Sequence, residues 1–276
     1  MKLKFDDQKV KDIVEKISAD GAKKLHILSD FDKTLTRVSY IKGKPVGSLI
    51  GQLRAGGYLS PEYAPESYKL FEKYSPFEND HTISLNKKLK KMEQWWEKHH
   101  ELLIRCKLNK NDMDQVMKTA HLKLRPGVKN FFKLLHKHKI PIVIISAGPA
   151  YMIEKMLKNN SLLTKNIHIV ANYYNFDKNG YMTSVKKPII HSLNKYEIIL
   201  KNLPFFDQLK QRTNVILLGD QPDDLGMIKG FEYDNLLTIA FSQTEKDRQR
   251  LAKEFNVALG GNDKFNFVND IIKKIL

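Results

Sequence analysis

The sequence predicts an α/β protein: a parallel sheet with helices on both faces, and a helical cap inserted after the first strand. Two observations carry this. Short apolar runs at 25–28, 141–145, 167–171, 214–218 and 236–240 each end in small or acidic residues and alternate with amphipathic stretches. Between residues 33 and 138 no convincing strand pattern occurs, so that stretch reads as an insertion.

The elements follow in order. Residues 6–20 form an amphipathic helix with Val10, Ile13, Val14 and Ile17 on one face. Residues 25–28 make a buried strand ending in Ser29-Asp30. From 40 to 76 the chain reads as irregular, broken by Gly43, Pro45, Gly47, Gly51, Gly56-Gly57, Pro61 and Pro65. Helical spacing returns at 85–103 with Leu85, Leu89, Met92, Trp96, His99 and Leu103, and again at 111–122. Pro126 opens a helix whose inward residues are Val128, Phe131, Phe132 and Leu135. A strand at 141–145, a helix at 149–159 and a strand at 167–171 come next. Residues 172–185 read as a hairpin turning at Asp177-Lys178-Asn179-Gly180. Helices are expected at 195–202, 222–230, 244–255 and 265–275 around strands at 214–218 and 236–240. The division is a core of residues 1–40 and 123–276 with a cap of 41–122 over the carboxyl ends of the strands.

Composition narrows the function classes. The 276 residues carry 47 Lys+Arg against 31 Asp+Glu, a net charge of +16, and 42% are hydrophobic. That content excludes a disordered or collagen-like chain. No apolar run approaches the ~18 residues of a membrane span, and the opening MKLKFDDQKV has charges where a signal peptide is apolar. With Cys106 alone there is no intramolecular disulfide. The basic residues are scattered, with no block of the length that marks a nucleic-acid patch. A cytoplasmic, monomeric protein with no membrane or nucleic-acid partner is expected.

Chemistry concentrates at strand ends. Asp30 and Asp32 lie two apart at the end of the first strand, which points both carboxylates one way. Two such groups repel unless one is protonated or a cation lies between them. That suits a carboxylate nucleophile beside a carboxylic acid, although a pair of turn-capping aspartates has the same spacing. Ser146-Ala147-Gly148 ends the second strand before a helix, where a hydroxyl and free amides can bind an anion or simply cap the helix. Gly219-Asp220 through Asp223-Asp224 again places carboxylates at a strand end, suited to a hard cation such as Mg²⁺. Lys195 stands at a helix start, unfavourable for the helix dipole and suggestive of a phosphate-facing role.

In this order, Asp-x-Asp-x-Thr, Ser, Lys and Gly-Asp-x-x-x-Asp, the chain resembles the haloacid dehalogenase-like (HAD-like) phosphohydrolases. Within them it is most similar to the cytosolic pyrimidine 5′-nucleotidases, type III. The likeness spans roughly 25–276 and rests on Ser29–Thr36, Phe77-Glu78-Asn79-Asp80, Glu93–Trp96, Ser146–Gly148, Asn175-Phe176-Asp177, His191–Lys195, Leu217–Asp220 and Asp224–Met227. It implies a Rossmann-like parallel core with an inserted helical cap. It implies that Asp30 attacks phosphorus and that Asp32 protonates the leaving oxygen and then activates water. Asp30, the backbone carbonyl of Asp32, and Asp220 would hold Mg²⁺, with Asp224 orienting its water shell. Ser146, the amide of Ala147, and Lys195 would grip the phosphoryl group. In the cap, Glu78 would read a base edge and Trp96 would stack on the base.

Three positions depart from that family pattern. Pro222-Asp223 replaces a small residue and a glycine, His99 stands where the nucleotidases carry a substrate-binding serine, and Pro149 follows Ser-Ala-Gly. His99, with Trp96 and Glu78, is nevertheless a candidate substrate contact and is expected to narrow the pocket toward pyrimidines. The expected function is an Mg²⁺-dependent 5′-nucleotidase acting on nucleoside monophosphates. The rivals are a phosphoserine phosphatase-like enzyme and a non-catalytic nucleic-acid-binding protein on the same fold.

Overall fold

A strand apolar at every position can be buried only if both of its faces are covered. β1 (Leu25–Ser29) is buried at all five positions, and β10 (Asn214–Gly219) at all six. In the computed structural model these two pair in parallel at the centre of a six-stranded sheet. The model describes residues 8–41, 43–80, 82–119, 122–195, 203–229, 232–260 and 265–276. β6 (Ile142–Pro149) and β7 (Ile167–Asn172) extend the sheet on one side; β11 (Asn235–Phe241) and β12 (Val257–Leu259) extend it on the other. The order is β12-β11-β10-β1-β6-β7 and every pairing is parallel. β1 is flanked by two strands that come much later in the chain. Ligands of open α/β sheets bind beyond the carboxyl ends of strands at such a reversal.

α1 (Gln8–Asp20) buries Val10, Val14 and Ile17 against this sheet, and α6 (Val128–Lys137) buries Val128, Phe131, Phe132 and Leu135. Gly127, at φ 95°, precedes α6 in place of a helical Pro126. α7 (Ala150–Asn159) follows β6, with Pro149 as its extended N-cap rather than in its first turn. β8 (Tyr174–Phe176) and β9 (Met182–Val185) form the expected antiparallel hairpin. The expected helix at 195–202 lies, from residue 196, outside the described residues. That expected at 222–230 is a 3₁₀ helix, Pro222–Ile228, and those near the end run Glu245–Leu251 and Asn266–Ile275.

The stretch 33–138 holds more order than its sequence suggested. It contains the short strands β2 (Thr36–Arg37), β3 (Ser39–Ile41), β4 (Lys44–Val46) and β5 (Lys123–Leu124). Strands of two or three residues are too short for an alternation to register. Residues 40–76, expected to be irregular, hold α2 (Leu49–Gly56) and most of α3 (Tyr63–Asn79). Some of their prolines and glycines sit where helices tolerate them, although Pro76 lies inside α3. Pro65 is in the first turn of α3, where no intrahelical N–H bond is lost. Gly57 ends α2 at φ 69°, and the Ser48 hydroxyl accepts from the Gly51 amide at 3.0 Å. β12 was also unforeseen, being three residues at the sheet edge. A five-residue helix, Phe206–Lys210, escaped for the same reason.

α4 (Leu85–Arg105) buries a wider face than its spacing indicated. Trp95, His100 and Leu102 join Met92, His99 and Leu103 inside, while Leu85 is 50% exposed. α5 (Lys110–Lys118) is shorter than the expected 111–122. The insertion is anchored at its base: Leu102, Leu103, Met113 and Val116 share one apolar cluster with Ile27, Phe31 and Ile142. A separate cluster joins Tyr74, Met92 and Trp95 of the insertion to Leu193, two residues before Lys195. Among the described residues no helix is long and apolar enough to cross a membrane.

Where the chain returns from the insertion, one buried cation fixes the loop after β1. The Arg125 Nε donates to the Thr34 carbonyl at 3.1 Å and its Nη2 to the Lys33 carbonyl at 2.6 Å. Its guanidinium lies 4.4 Å from the Phe241 ring centroid. Replacing it removes charged donors from buried carbonyls, a loss of about 1.5–3 kcal/mol per bond at full value. Arg125→Met, which keeps the apolar bulk, is expected to lower the unfolding free energy by about 2–4 kcal/mol, read as a shift of the urea midpoint.

Candidate active site

Three carboxylates gather at the carboxyl ends of β1 and β10. Asp30, one residue past β1, is 4% exposed; Asp220, one residue past β10, is 6% exposed; Asp224, in the 3₁₀ helix that follows, is 2% exposed. The parallel register sets Ser29 beside Leu218, so the residues that follow emerge together. Gly219 makes the turn feasible, because a Cβ there would lie 2.6 Å from the Asp224 Cβ. Asp224 Oδ2 accepts from the amides of Asp220 and Gln221 at 2.9 and 3.0 Å.

So much negative charge away from water needs compensation. Lys195 supplies it, with Nζ 2.5 Å from Asp30 Oδ1 and 2.8 Å from Asp224 Oδ1. Burial alone would pull the Lys195 ammonium down. Asp224 and Asp30 outweigh it and hold the group charged, above the usual lysine range. Burial pushes the Asp30 carboxyl up, opposed by Lys195 and reinforced by Asp224 and Asp220. Lys33, in the left-handed region at φ 62°, places its Nζ 2.6 Å from Asp220 Oδ2. Asp220 in turn raises the pKa of Lys33.

Asp32 differs from its neighbour two residues back. Both of its oxygens lie 3.2 Å from the Leu49 amide at the start of α2. Desolvation pushes its carboxyl up to about 7, only partly offset by that N–H and by Lys33. One aspartate thus faces a lysine and the other is held ready to carry a proton near neutrality, an arrangement that separates nucleophile from acid.

On the other side of β1, Ser146 is 1% exposed and its Oγ accepts from the Gly148 amide at 3.1 Å. A Cβ on Gly148 would lie 3.7 Å from Asp32 Oδ2, so this loop borders the acid. The loop is tied down by Asn172 at the end of β7. The Asn172 Nδ2 donates to the carbonyls of Ala147 and Ile190 at 2.8 Å each, and its Oδ1 accepts from the Ile190 amide at 2.9 Å.

Asp30, Asp32, Lys195, Asp220 and Asp224 are therefore brought together, with Ser146 and Ala147 beside them. Asp30, Asp220 and Asp224 each offer one oxygen, all within 4.8 Å of one another. Asp224, expected to orient the metal's water shell, is the third member of that trio, with Oδ1 on Lys195 and Oδ2 on two backbone amides. Asp223 does not belong to it. Burial raises the Asp223 carboxyl, helped by Glu78 and Asp224. An Mg²⁺ ion fits these donors: they are hard oxygens, and Asp30 Oδ2 is buried with no hydrogen-bond partner. Sequence reasoning missed Lys33, Asn172 and Arg125. Lys33 adjoins Asp32, and Asn172 stands at a strand end like the other site residues, which was the available signal.

The residues expected from the cap divide. Glu78, in the last turn of α3, lines a cavity of about 1160 Å³ together with Lys33 and Ser48. Trp96 and His99 lie in an aromatic stack instead, 5.9 Å between centroids and 11° between planes. His99 is 2% exposed, its Nε2 is 3.2 Å from the Tyr63 hydroxyl, and burial holds it neutral. Trp96 is half-buried above it, whereas Trp95 packs on Tyr74.

Comparison with known proteins agrees with this geometry. The family model described as pyrimidine 5′-nucleotidase (UMPH-1) matches residues 33–276. The chain is 35% identical over 271 residues to a human 7-methylguanosine phosphate-specific 5′-nucleotidase, covering 97% of this chain and 90% of that one. A mouse protein of the same name is 34% identical over the same length and coverage. The crystal structure of cytosolic 5′-nucleotidase IIIB bound to cytidine superposes with a TM-score of 0.83 at 25% identity, covering 97% of this chain and 91% of that one. A phosphoserine phosphatase, captured as a phospho-aspartyl intermediate analogue, shares the fold at a TM-score of 0.55 and 20% identity, covering 91% of this chain and 98% of that one. The strand-end carboxylates, the inserted helices and these matches place the chain in the pyrimidine 5′-nucleotidase family of HAD-like phosphomonoester hydrolases.

Proposed function

We propose that this 5′-nucleotidase hydrolyses pyrimidine nucleoside 5′-monophosphates by way of a phosphorylated Asp30. The observation that carries the reading is the buried Lys195 ammonium shared between Asp224 and Asp30, the latter two residues of chain from the Asp32 carboxyl. Asp30 attacks phosphorus as the P–O5′ bond breaks. The electron pair goes to O5′, which takes the proton of Asp32, and the nucleoside leaves. Asp32, now a carboxylate, removes a proton from water as the water oxygen attacks phosphorus. The bond to Asp30 breaks, phosphate departs, and Asp32 is again protonated. Lys195, the Ser146 hydroxyl and the Ala147 amide bind the phosphoryl oxygens throughout. Asp30, Asp220 and Asp224, with the carbonyl of Asp32, would hold Mg²⁺, which neutralises the phosphoryl charge when bound.

The base is read by the inserted helices. Glu78 on the cavity wall can accept from an exocyclic amine, and half-buried Trp96 offers a stacking face. The family description and the cytidine-bound neighbour support a pyrimidine. A second reading, 7-methylguanosine monophosphate, is supported by the names of the human and mouse relatives. Its base is a cation, suited to the carboxylates of Glu78 and Asp223 and to an indole face. The cytosolic neighbour supports a cytoplasmic location.

A panel of CMP, UMP, AMP, GMP and 7-methyl-GMP, assayed by phosphate release, tests both readings. The pyrimidine nucleotides are expected to be hydrolysed best; dominance of 7-methyl-GMP would select the second reading. Chelation with EDTA is expected to abolish release and Mg²⁺ to restore it. Activity that survives thorough chelation contradicts the metal assignment.

The acid has its own signature in pH. Asp32 must enter the first step protonated, and its carboxyl titrates at about 7. Nucleotide kcat/KM is therefore expected to fall roughly tenfold per unit above that pH. p-Nitrophenyl phosphate, whose leaving group needs no proton, is expected to lack this limb. Parallel profiles for the two substrates would remove Asp32 from the acid role.

A further inference from the structure

The cavity beside the catalytic aspartates is larger and more cationic than a nucleoside leaving group requires. Its volume of about 1160 Å³ exceeds the roughly 300–1,000 Å³ common for small-molecule sites. Lys33, Arg37, Arg54 and Lys123 line it, against Glu78 as the one carboxylate among the described residues. Two of these cations are already committed. Lys33 pairs with Asp220, and Arg54 is buried, donating from Nε to the Ser67 hydroxyl at 2.9 Å under the rings of Tyr68 and Phe71.

Arg37 and Lys123 are not committed. They are direct partners across the antiparallel pair β2–β5, and both are exposed on the cavity wall. Like charges set opposite each other in a ladder are destabilising. Neither is in an ion pair among the described residues. The ladder begins three residues beyond Lys33, and Arg125 clamps its two ends together, so its place relative to Asp32 is fixed. Lys33 and Ser48, on the same wall, adjoin Asp220 and the Leu49 amide that holds Asp32.

We infer that Arg37 and Lys123 form an anion subsite for a second phosphate carried by the leaving group. The substrates it would take are nucleoside 3′,5′-bisphosphates or 5′-phosphorylated dinucleotides. The 5′-phosphoryl group would react at Asp30 while the second phosphate bridges the two cations. This rests on the nucleotidase reading, since it presumes that the 5′-phosphate is the one transferred. Asp30 displaces O5′ and water then hydrolyses the aspartyl-phosphate as before, and the second phosphate leaves unchanged on the nucleoside.

The test compares UMP, uridine 3′,5′-bisphosphate and pUpU as substrates at low and high salt, for the natural chain and for Lys123→Glu. The bisphosphate is expected to show a KM about tenfold below that of UMP at low salt, with the advantage shrinking as salt rises. Lys123→Glu, which gives Arg37 a carboxylate partner, is expected to erase the advantage. It should leave UMP kinetics within about twofold and raise Tm by relieving the repulsion. An equal advantage for pUpU assigns the subsite to a phosphodiester as well; none for pUpU confines it to a terminal phosphate. Equal KM values for UMP and the bisphosphate in the natural chain, or a variant that slows both alike, overturns the proposal. Calorimetric titration of Asp30→Asn with the two uridine nucleotides keeps the tests separate. If UMP is not hydrolysed at all, the nucleotidase reading fails, while the ratio of the two affinities still decides the subsite.

Discussion

Four carboxylates brought to the ends of two adjacent strands must be neutralised, and much of the architecture follows from that requirement. β1 and β10 pair in parallel, so Asp30 and Asp220 emerge side by side with no choice in the matter. Their charges, with that of Asp224, would unfold the site if left alone. Lys195 crosses from a distant part of the chain to bind two of them, and Lys33 binds the third. The surrounding devices hold these partners in register. Gly219 leaves room for the Asp224 side chain, Asn172 fixes the Ser146–Gly148 loop, and Arg125 locks the backbone after Asp32. Desolvation also raises the Asp32 carboxyl to about 7, so the cost of the site and its chemistry have one source.

In the proposed function, selectivity is built separately, on the insertion. The base of the insertion is continuous with the main core through Leu102, Leu103, Met113 and Val116, which gives the helices a firm footing. A second cluster packs Met92 and Trp95 against Leu193, two residues before Lys195, and so ties the insertion to the segment that carries that lysine. Glu78 comes from the end of α3, and half-buried Trp96 from α4, where it stacks on His99. His99, which departs from the nucleotidase pattern, fills space beneath Trp96 and bonds toward Tyr63. Its influence on the base would pass through the position of the indole rather than through a direct contact.

The convergence of Asp30, Ser146 and Asp220 was legible in the sequence because each follows an apolar run, and parallel strands bring such ends together whatever lies between; Lys195 reaches the same place from outside the sheet. The five longer strands and the 172–185 hairpin could be placed for the same reason. What escaped depends on contacts between distant segments. β2 and β5 are two residues each and exist because Arg125 and the Lys33–Leu35 backbone meet. α2 and α3 were obscured by their glycines and prolines: Gly57 and Pro65 fall at a helix end and a helix start, where they cost little, whereas Pro76 lies inside α3. Lys33 carried no visible signal beyond its place next to Asp32, because its partner Asp220 is nearly two hundred residues away. The packing of Trp95 was not legible, because it depends on Tyr74 and Phe71 of the unforeseen α3.

The central claim is that Asp30 carries the phosphoryl group during turnover, and acid quenching tests it most directly. The protein would be mixed with UMP labelled with ³²P in its phosphate, stopped in acid within milliseconds and digested. The account predicts a label that hydroxylamine releases, as an acyl phosphate requires, located on the peptide containing Asp30. Label on any other residue, or steady turnover with no labelled protein at any time point, would contradict it.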